Sequence, residues 1–242
     1  MITKLSPAKI NLTLDVKPKT EGADFHELET IYHLVNWGDT MTVESSDKFE
    51  IIGNFDCDLK ENLIYKAWQC LDDPQTVKVT VDKQIPTGGG LGGGSSNAAT
   101  FIQCYFELFN LGTVPQKLID RLGDLGKDIP FFLCGQPCAL GTHFGQVIKP
   151  LDFNFSGQTV YLYFPPFKSD TPEAYRALKH FDTSYTQNFL ANPKLENCGN
   201  TFQKIFEQKN YSKLLLSGSG STCFNFKKID IPDCKTIKTE LL

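Results

Sequence analysis

A run of glycines in the first half of the chain constrains its fold more than any other feature. Six of the 19 glycines lie between Gly88 and Gly94. Just upstream, residues 77–81 alternate valine with polar residues, which is the period of a half-buried strand. Just downstream, Ser95 or Ser96 can cap a helix that runs to about Leu111. A strand, a glycine loop and a helix start predict a phosphate-binding cradle, because unpaired amides and the helix dipole favour an anion there.

The run fits the better-known glycine loops less well. A P-loop requires Gly-x-x-x-x-Gly-Lys-Ser/Thr, and the run contains no lysine, which excludes it. Gly88, Gly90 and Gly93 fit the Gly-x-Gly-x-x-Gly of dinucleotide-binding folds. The acidic residue expected about 20 residues later, at the end of a second strand, is not evident, so that match is weak. A flexible linker or a tight turn is disfavoured by the flanking strand and helix.

Length and composition limit the class of protein. A chain of 242 residues can form one large domain or two modest ones. Its net charge of −4 argues against a general nucleic-acid binder, which usually has a basic surface. No run approaches the roughly 20 apolar residues of a membrane span. The N-terminus enters a strand with no room for a targeting peptide, so a cytoplasmic location is expected.

Cysteine and histidine usage indicates no metal site. The eight cysteines are scattered and include no Cys-x-x-Cys pair. Several lie in apolar runs, so they are predicted to be small buried side chains in a reducing compartment. His33, His143 and His180 have no partner pattern and are interpreted as structural.

Local patterns predict the remaining elements. Residues 8–16 alternate as a strand, with Lys9, Asn11, Thr13 and Asp15 on one face and aliphatic residues on the other. Further strands are predicted near residues 40–45, 49–52, 139–145, 160–164 and 214–224. Helices are predicted near residues 61–71, 115–126, 172–179 and 201–208. The helix after the glycine loop has one narrow polar stripe and is predicted to be mostly buried. A domain junction is predicted near residues 150–157.

The loop from Pro86 to Ser96 resembles that of the GHMP kinases, named for galactokinase, homoserine kinase, mevalonate kinase and phosphomevalonate kinase. Their loop reads Pro-x-Gly-x-Gly-Leu-Gly-x-x-Ser-Ser, and this chain matches it at each defined position. Further segments resemble one family within that superfamily, the 4-diphosphocytidyl-2-C-methylerythritol kinases. In chain order, these are residues 6–12, 25–30, 62–67, 97–100, 126–132 and 216–222. The ordered set is far more specific than any one segment.

This resemblance implies an α+β fold in two domains. The N-terminal domain, residues 1–153, is expected to resemble ribosomal protein S5 domain 2 and to carry the ATP site and catalytic residues. The C-terminal domain, residues 154–242, is expected to be ferredoxin-like and to carry the substrate side, with the active site in the cleft between the domains. The implied reaction is ATP-dependent phosphorylation of the C2 hydroxyl of 4-diphosphocytidyl-2-C-methyl-D-erythritol, on the non-mevalonate route to isoprenoids.

The resemblance also assigns site residues. Lys9 matches the active-site lysine, and Asp128 matches the aspartate base that activates the hydroxyl. The residues expected to hold the ATP phosphates are Pro86, Thr87, Gly88, Gly89, Gly90, Leu91, Gly92, Gly93, Gly94, Ser95 and Ser96. The residues expected to bind the substrate are Asn11, Phe25, His26, Thr171, Tyr175, Ser217, Gly218, Ser219 and Gly220. Phe25 and Tyr175 match positions that stack on the cytosine ring, and His26 matches one that binds its edge. Mg²⁺ is expected to accompany ATP through phosphate oxygens, with few direct protein ligands.

Some alternatives stay open at this point. From the sequence alone, Asp128 also fits a turn or capping residue before Pro130. Phe25 stands where most members have tyrosine, so ring stacking is kept and any contact through the hydroxyl is lost. The chain could instead be another GHMP kinase of the homoserine or mevalonate type, a non-catalytic nucleotide-binding relative, or a dinucleotide oxidoreductase. The expected partners are ATP and the small-molecule substrate, without nucleic acid or membrane, in a monomer or weak homodimer.

Overall fold

The structure is a computed structural model that describes residues 1–20, 22, 26–167, 169, 171–181, 184–203 and 211–242. The strands are β1 (Ile2–Val16), β2 (Leu28–Ser45), β3 (Glu50–Gly53), β4 (Val77–Asp82), β5 (Cys138–Thr142), β6 (Val147–Pro150), β7 (Thr159–Phe164), β8 (Gly199–Asn200), β9 (Leu215–Leu216), β10 (Cys223–Asn225) and β11 (Lys235–Glu240). The α-helices are α1 (Leu63–Gln69), α2 (Gly93–Leu108), α3 (Gln116–Leu125), α4 (Ile129–Leu133), α5 (Thr171–Ala177) and α6 (Tyr185–Ala191). The chain divides into two compact units, and both β1 and β2 pass from one unit into the other.

The first unit comprises residues 1–8, 37–87 and 92–135. Strand β4 pairs in parallel with β3 and antiparallel with the second half of β2. The predicted valine strand is confirmed, because the valines of β4 are buried while the residues between them are more exposed. Helix α2 packs against α1 and α4, and ten of its sixteen residues are buried, as its apolar sequence predicts. The start of α2 adjoins α1, because a Cβ on Gly94 would lie 3.5 Å from Cδ1 of Leu63.

The second unit comprises residues 9–36, 88–91 and 136–242. Strand β5 pairs antiparallel with the first half of β2 and with β6, and β8 pairs in parallel with β1. A separate antiparallel sheet has the order β11-β7-β10-β9. The second glycine turn, residues 217–220, connects β9 to β10 and is therefore positioned by this sheet.

Both faces of β1 are buried in the part that contains its polar residues. Lys9 is 3% exposed, Asn11 4% and Asp15 0%. A strand with alternating polar residues usually presents them to solvent, and here they face other protein groups instead. The polar residues of β1 must therefore find their hydrogen-bond partners inside the protein.

Several elements differ from the sequence predictions. Strand β2 begins at Leu28, well before the predicted residues 40–45. Helix α4 stands where a turn is expected after Asp128. Neither α6 nor β11 is predicted from the sequence. Strand β11 is polar and mostly exposed, and it is held by pairing with β7. The helix predicted near residues 201–208 falls mainly on residues 204–210, which lie outside the described residues.

The arrangement of helices and sheets confirms the α+β class. The predicted division into residues 1–153 and 154–242, with an S5-like and a ferredoxin-like domain, stays a prediction. Among the described residues, none of the helices has the length and apolar character needed to cross a membrane.

Candidate active site

The second half of the glycine loop forms the N-terminus of α2, in the first unit. Gly92 is the N-cap residue and has a φ of 70°, in the left-handed region where glycine is favoured. A Cβ on Gly93 would lie 2.8 Å from Cγ2 of Ile85, so this position also needs glycine. The first amides of α2 therefore follow a tightly packed glycine turn, and they have no partners within the helix. Such a helix start has the donors and the dipole direction that can bind an anion.

The prediction that Ser95 or Ser96 caps this helix is wrong. Helix α2 begins at Gly93, so both serines lie inside its first turn, and its N-cap makes no side-chain capping bond. The hydroxyl of Ser96 instead lies 2.7 Å from the carbonyl oxygen of Pro7 and 2.9 Å from the hydroxyl of Ser6. Gly92 adopts the left-handed conformation at the N-cap, which glycine tolerates because it has no Cβ. The helix therefore starts earlier than the serine pattern indicates.

Asp39 joins the two segments that flank the glycine loop, and the sequence predictions do not include it. Its carboxylate is completely buried. Oδ1 accepts from the backbone amides of Gln84 at 2.6 Å and Ile85 at 2.8 Å, just before the loop. Oδ2 accepts from Nζ of Lys83 at 2.5 Å and from Nδ2 of Asn97, in α2, at 2.8 Å. These partners are 44 to 58 residues away in the chain, so no local pattern indicates the role of Asp39.

Asp128 immediately precedes α4, in the same unit. It occupies the N-cap position, but its side chain makes no capping hydrogen bond, which leaves the capping alternative without support. Its side chain is partly buried. Two residues earlier, Gly126 packs against the first turn of α2, since a Cβ there would lie 3.1 Å from Oγ of Ser95. The segment that carries Asp128 therefore adjoins the predicted phosphate cradle.

The first half of the glycine loop contacts the second glycine turn, within the second unit. Gly90 has a φ of 75°, and a Cβ there would overlap the carbonyl oxygen of Ser217. The hydroxyl of Ser217 donates to the carbonyl oxygen of Gly90 at 3.0 Å, across 127 positions of sequence. The amide of Thr222 donates to the carbonyl oxygen of Gly89 at 3.1 Å. The two glycine turns, although distant in sequence, thus pack against each other directly.

Lys9 and Asn11 lie side by side on the buried polar face of β1. Nζ of Lys9 donates to Oδ1 of Asn11 at 2.6 Å. It also lies 5.4 Å from the centre of the Tyr32 ring, within cation–π distance. The backbone amide of Lys9 donates to the carbonyl oxygen of Leu91 at 3.0 Å, which ties β1 to the glycine loop. The backbone of Lys9 thus contacts the end of residues 88–91, while its buried side chain is held by Asn11 and Tyr32.

Two predicted substrate residues meet at the second glycine turn. Thr171 is the first residue of α5, and its hydroxyl lies 2.8 Å from the hydroxyl of Ser219. Ser169 donates to the carbonyl oxygen of Ser219 at 2.8 Å. From the other side, Nδ2 of Asn200 donates to the carbonyl oxygen of Gly218 at 2.8 Å. Ser169 and Asn200 are not predicted from the sequence, because their partners lie on distant segments.

His26 and Tyr175 also come together. Their ring centres are 5.6 Å apart, and the ring of Phe181 is stacked on His26 at 5.5 Å with an interplanar angle of 25°. Nδ1 of His26 lies 2.8 Å from the carbonyl oxygen of Lys17. Because a carbonyl oxygen only accepts, Nδ1 carries the proton, and Nε2 is the acceptor when the ring is neutral. Phe181 is an addition to the predicted set, and the predicted Phe25 lies outside the described residues.

The second unit also contains the cation Lys17, whose backbone carbonyl oxygen is the partner of His26. Nζ of Lys17 forms an ion pair with Oε1 of Glu29 at 2.8 Å. The hydrogen bond to Glu29 raises the pKa of the Lys17 ammonium above its usual value, and burial opposes this effect. Lys17 is therefore protonated at neutral pH.

Within the part of the chain that the structure describes, no group of three or more His, Cys, Asp or Glu side chains could hold a metal ion.

Comparison with a family model and with solved structures identifies the class of protein to which this fold belongs. A family model described as GHMP kinases N terminal domain matches residues 62–136. A crystal structure of 4-(cytidine 5'-diphospho)-2C-methyl-D-erythritol kinase aligns with 99% of both chains, with a TM-score of 0.79 and 27% identity. A mevalonate kinase of Methanococcus jannaschii aligns with a TM-score of 0.65 at 12% identity, over all of this chain and 98% of its own, and shares only the fold. The class is therefore the GHMP kinases, and the predicted GHMP kinase fold of the α+β class is confirmed.

Sequence relatives narrow the class to a family. The 4-diphosphocytidyl-2-C-methyl-D-erythritol kinase of Fervidobacterium nodosum is 32% identical over 91% of this chain and 89% of its own. The enzyme of the same name from Thermotoga maritima is 30% identical over 93% of this chain and 92% of its own. This chain belongs to the 4-diphosphocytidyl-2-C-methyl-D-erythritol kinase family. The family predicted from the sequence motifs is thereby confirmed over the homoserine and mevalonate kinase alternatives.

Proposed function

We propose that this protein transfers the γ-phosphoryl group of ATP to the C2 hydroxyl of 4-diphosphocytidyl-2-C-methyl-D-erythritol. As a member of its family, the chain is an ATP-dependent small-molecule kinase. The observation that carries the proposal is the glycine turn that opens α2, in a chain that aligns with the F. nodosum kinase over 91% of its length.

The loop from Pro86 to Ser96 is proposed to hold the ATP phosphates. Amides at the start of α2 supply hydrogen-bond donors and a positive dipole end. Left-handed glycines at Gly88, Gly90 and Gly92 allow the backbone to turn tightly without side chains in the way. Mg²⁺ is proposed to bind through phosphate oxygens and water, where it would neutralise charge on the β- and γ-phosphates.

Asp128 is proposed as the general base, and Lys9 as the cation that stabilises the transferred phosphoryl group. Phosphoryl transfer has a loose transition state, so positioning and charge stabilisation provide most of the catalysis. The role of Asp128 is supported by the packing of its segment, at Gly126, against Ser95 in the first turn of α2. The role of Lys9 is supported by its burial, because lysines are rarely buried and buried charged groups are concentrated at functional sites.

The cytosine ring is proposed to bind against Phe25 and Tyr175, with His26 at its edge. In its neutral form, His26 presents Nε2 as an acceptor, because Nδ1 donates to Lys17. The exocyclic amino group of cytosine is a donor, so the two groups are complementary. Asn11, Thr171 and residues 217–220 are proposed to bind the remainder of the substrate.

A coupled assay of ADP release tests the proposed function. The purified protein is given ATP and Mg²⁺ with 4-diphosphocytidyl-2-C-methyl-D-erythritol, homoserine or mevalonate in separate reactions. We expect turnover with the cytidylated substrate alone, and its loss when EDTA removes Mg²⁺. Turnover with homoserine or mevalonate instead would reassign the substrate, and binding of NAD without ATP would point to an oxidoreductase.

The state of assembly and the location of the protein are separate points. A monomer or weak homodimer is proposed, and sedimentation at two protein concentrations tests it. The expected cytoplasmic location stays a prediction.

A further inference from the structure

Thr30 is a buried residue of β2 that touches the predicted active-site residues without being one of them. Its side chain is 0% exposed, within the second unit. The hydroxyl of Thr30 makes two hydrogen bonds. It lies 2.6 Å from the carbonyl oxygen of Thr13 and 2.7 Å from Nδ2 of Asn11. Asn11 in turn contacts Nζ of Lys9 at 2.6 Å through Oδ1. These contacts form a chain from Thr13 through Thr30 and Asn11 to Lys9.

The direction of each bond in this chain is fixed by chemistry. The carbonyl oxygen of Thr13 only accepts, so the single hydroxyl proton of Thr30 is donated to it. The oxygen of Thr30 can then only accept from Asn11, which must present its NH₂ group. At the other end, the ammonium of Lys9 only donates, so Asn11 must present its oxygen there. Both ends therefore require the same orientation of the Asn11 amide.

We propose that Thr30 is a positioning residue for Lys9. Its hydroxyl selects the orientation of the Asn11 amide, and the amide oxygen then holds the ammonium of Lys9 in place. The inference rests on the proposed function, which gives Lys9 its role in phosphoryl transfer. Misplacement of a catalytic group by about 1 Å can cost roughly 10²-fold in rate, so a residue that fixes its position matters even without touching the substrate.

Removal of the Thr30 hydroxyl breaks one specific hydrogen bond of Asn11. Thr30→Val keeps the shape of the side chain, but valine cannot accept from Nδ2 of Asn11. The amide then loses the bond that fixes its NH₂ end, and its orientation depends on the contact of Oδ1 with Lys9. If it rotates, its NH₂ group faces the ammonium of Lys9 and repels it. Thr30→Ser keeps the hydroxyl and should keep the orientation.

Steady-state kinetics of three variants test the proposal. For Thr30→Val, we expect kcat to fall about tenfold because the transition state is less well stabilised. The KM for ATP should stay within about twofold of the parent value. Thr30→Ser should return kcat to within about twofold of the parent protein. The matched control is Thr186→Val, because Thr186 is also fully buried. Its hydroxyl lies 2.9 Å from that of Thr13 and does not contact Asn11. We expect Thr186→Val to lower the melting temperature as Thr30→Val does, with kcat unchanged.

Lys9→Met separates failure of this inference from failure of the proposed function. If Lys9→Met turns over like the parent protein, the role proposed for Lys9 is wrong whatever Thr30 does. If Lys9→Met is nearly inactive while Thr30→Val and Thr186→Val have equal kcat values, Lys9 keeps its role and the positioning by Thr30 is wrong. In the Lys9→Met background, Thr30→Val should have no further effect on the residual turnover, because it acts through Lys9. A further drop there would mean that Thr30 acts by another route.

Discussion

Two fully buried aspartates, one in each unit, show how differently the same residue can be used. Asp39 and Asp15 are both 0% exposed, and each binds backbone amides of an element far away in the chain. Asp15 accepts from the amides of Tyr185 at 3.1 Å and Thr186 at 2.8 Å, at the start of α6. Asp39 accepts from two amides with one oxygen and from two side chains with the other.

The difference lies in what each carboxylate connects. Asp15 fixes the start of one short helix, as an N-capping residue does. Asp39 binds Lys83 and Asn97, which lie on opposite sides of the glycine loop, and so closes the two ends of that loop. Burial and residue type are equal, so the consequence of losing each side chain is decided by the number and charge of its partners.

The largest effect is expected for Asp39→Ala. The variant removes the carboxylate that pairs with the mostly buried ammonium of Lys83, which then has Oδ1 of Asn97 but no anion, and it leaves two amides without their acceptor. Breaking a buried ion pair by removing one partner costs about 3–5 kcal/mol, and we expect the free energy of unfolding to fall by about that amount. Urea denaturation measures it.

Asp39→Asn is the matched control for that prediction. Its oxygen can still accept from the amides of Gln84 and Ile85, but its NH₂ group faces two donors. We expect a smaller loss of stability than in Asp39→Ala. Equal stability of the parent protein and Asp39→Ala would show that the four hydrogen bonds contribute nothing net.

The second prediction concerns a third aspartate, Asp128, which is only partly buried. Asp128→Asn should lower kcat by about 10²-fold, since a positioned general base contributes roughly 10²–10⁴-fold. Its stability and its affinity for ATP should stay near those of the parent protein. Coupled kinetics and calorimetry measure these quantities. A folded variant with near-normal turnover would make Asp128 a structural residue, like Asp39 and Asp15.

These aspartates also mark how far the sequence predicts the site. Asp128 and the glycine loop are predicted as site residues because they belong to contiguous motifs, whose residues stay close in any fold. Asp39 has partners 44 to 58 residues away, and Asp15 has partners about 170 residues away, so only the folded chain shows what they bind. Thr30 lies in a segment that resembles the family, yet its two bonds to β1 depend on strand pairing that the segment alone does not specify.

Secondary structure that depends on distant partners is likewise not predicted from the sequence. The alternation of valines in β4 predicts a strand because its buried face is apolar. The sequence of β11 alternates lysine, threonine and glutamate around one isoleucine, and its strand conformation depends on antiparallel pairing with β7. Helix α6 has no capping residue of its own, since its Ser184 makes no side-chain capping bond and Asp15 supplies the acceptor instead. Elements held by distant partners are therefore not predictable from local patterns.

A smaller effect is expected for Asp15→Ala. Loss of an N-capping side chain typically costs about 0.5–2 kcal/mol, so the free energy of unfolding should fall by less than in Asp39→Ala. Hydrogen exchange at the amides of Tyr185 and Thr186 should accelerate in this variant, while exchange in α2 stays unchanged. If Asp15→Ala is as destabilised as Asp39→Ala, the number of partners does not decide the cost, and the comparison between the two aspartates fails.

The smallest effect is a pH dependence from His33, a buried titratable group of the second unit that is not a carboxylate. Nδ1 of His33 lies 2.9 Å from the carbonyl oxygen of Leu34, and Nε2 accepts from the amide of Phe155 at 3.1 Å, so the folded protein requires the neutral ring. Burial lowers the pKa of His33 below its usual 6.5, and the bond to Leu34 opposes this only in part. Below pH 6.5, the unfolded chain therefore binds more protons than the folded protein. The contribution of His33 to stability should be complete above that pH and fall as the pH drops further.

Urea denaturation between about pH 8 and pH 5 measures the slope of the free energy of unfolding against pH. We expect His33→Gln to reduce it, and exposed His143→Asn to leave it unchanged, since Asn tolerates the positive φ of that position. An equal slope in His33→Gln and the parent protein would assign the pH dependence to other groups.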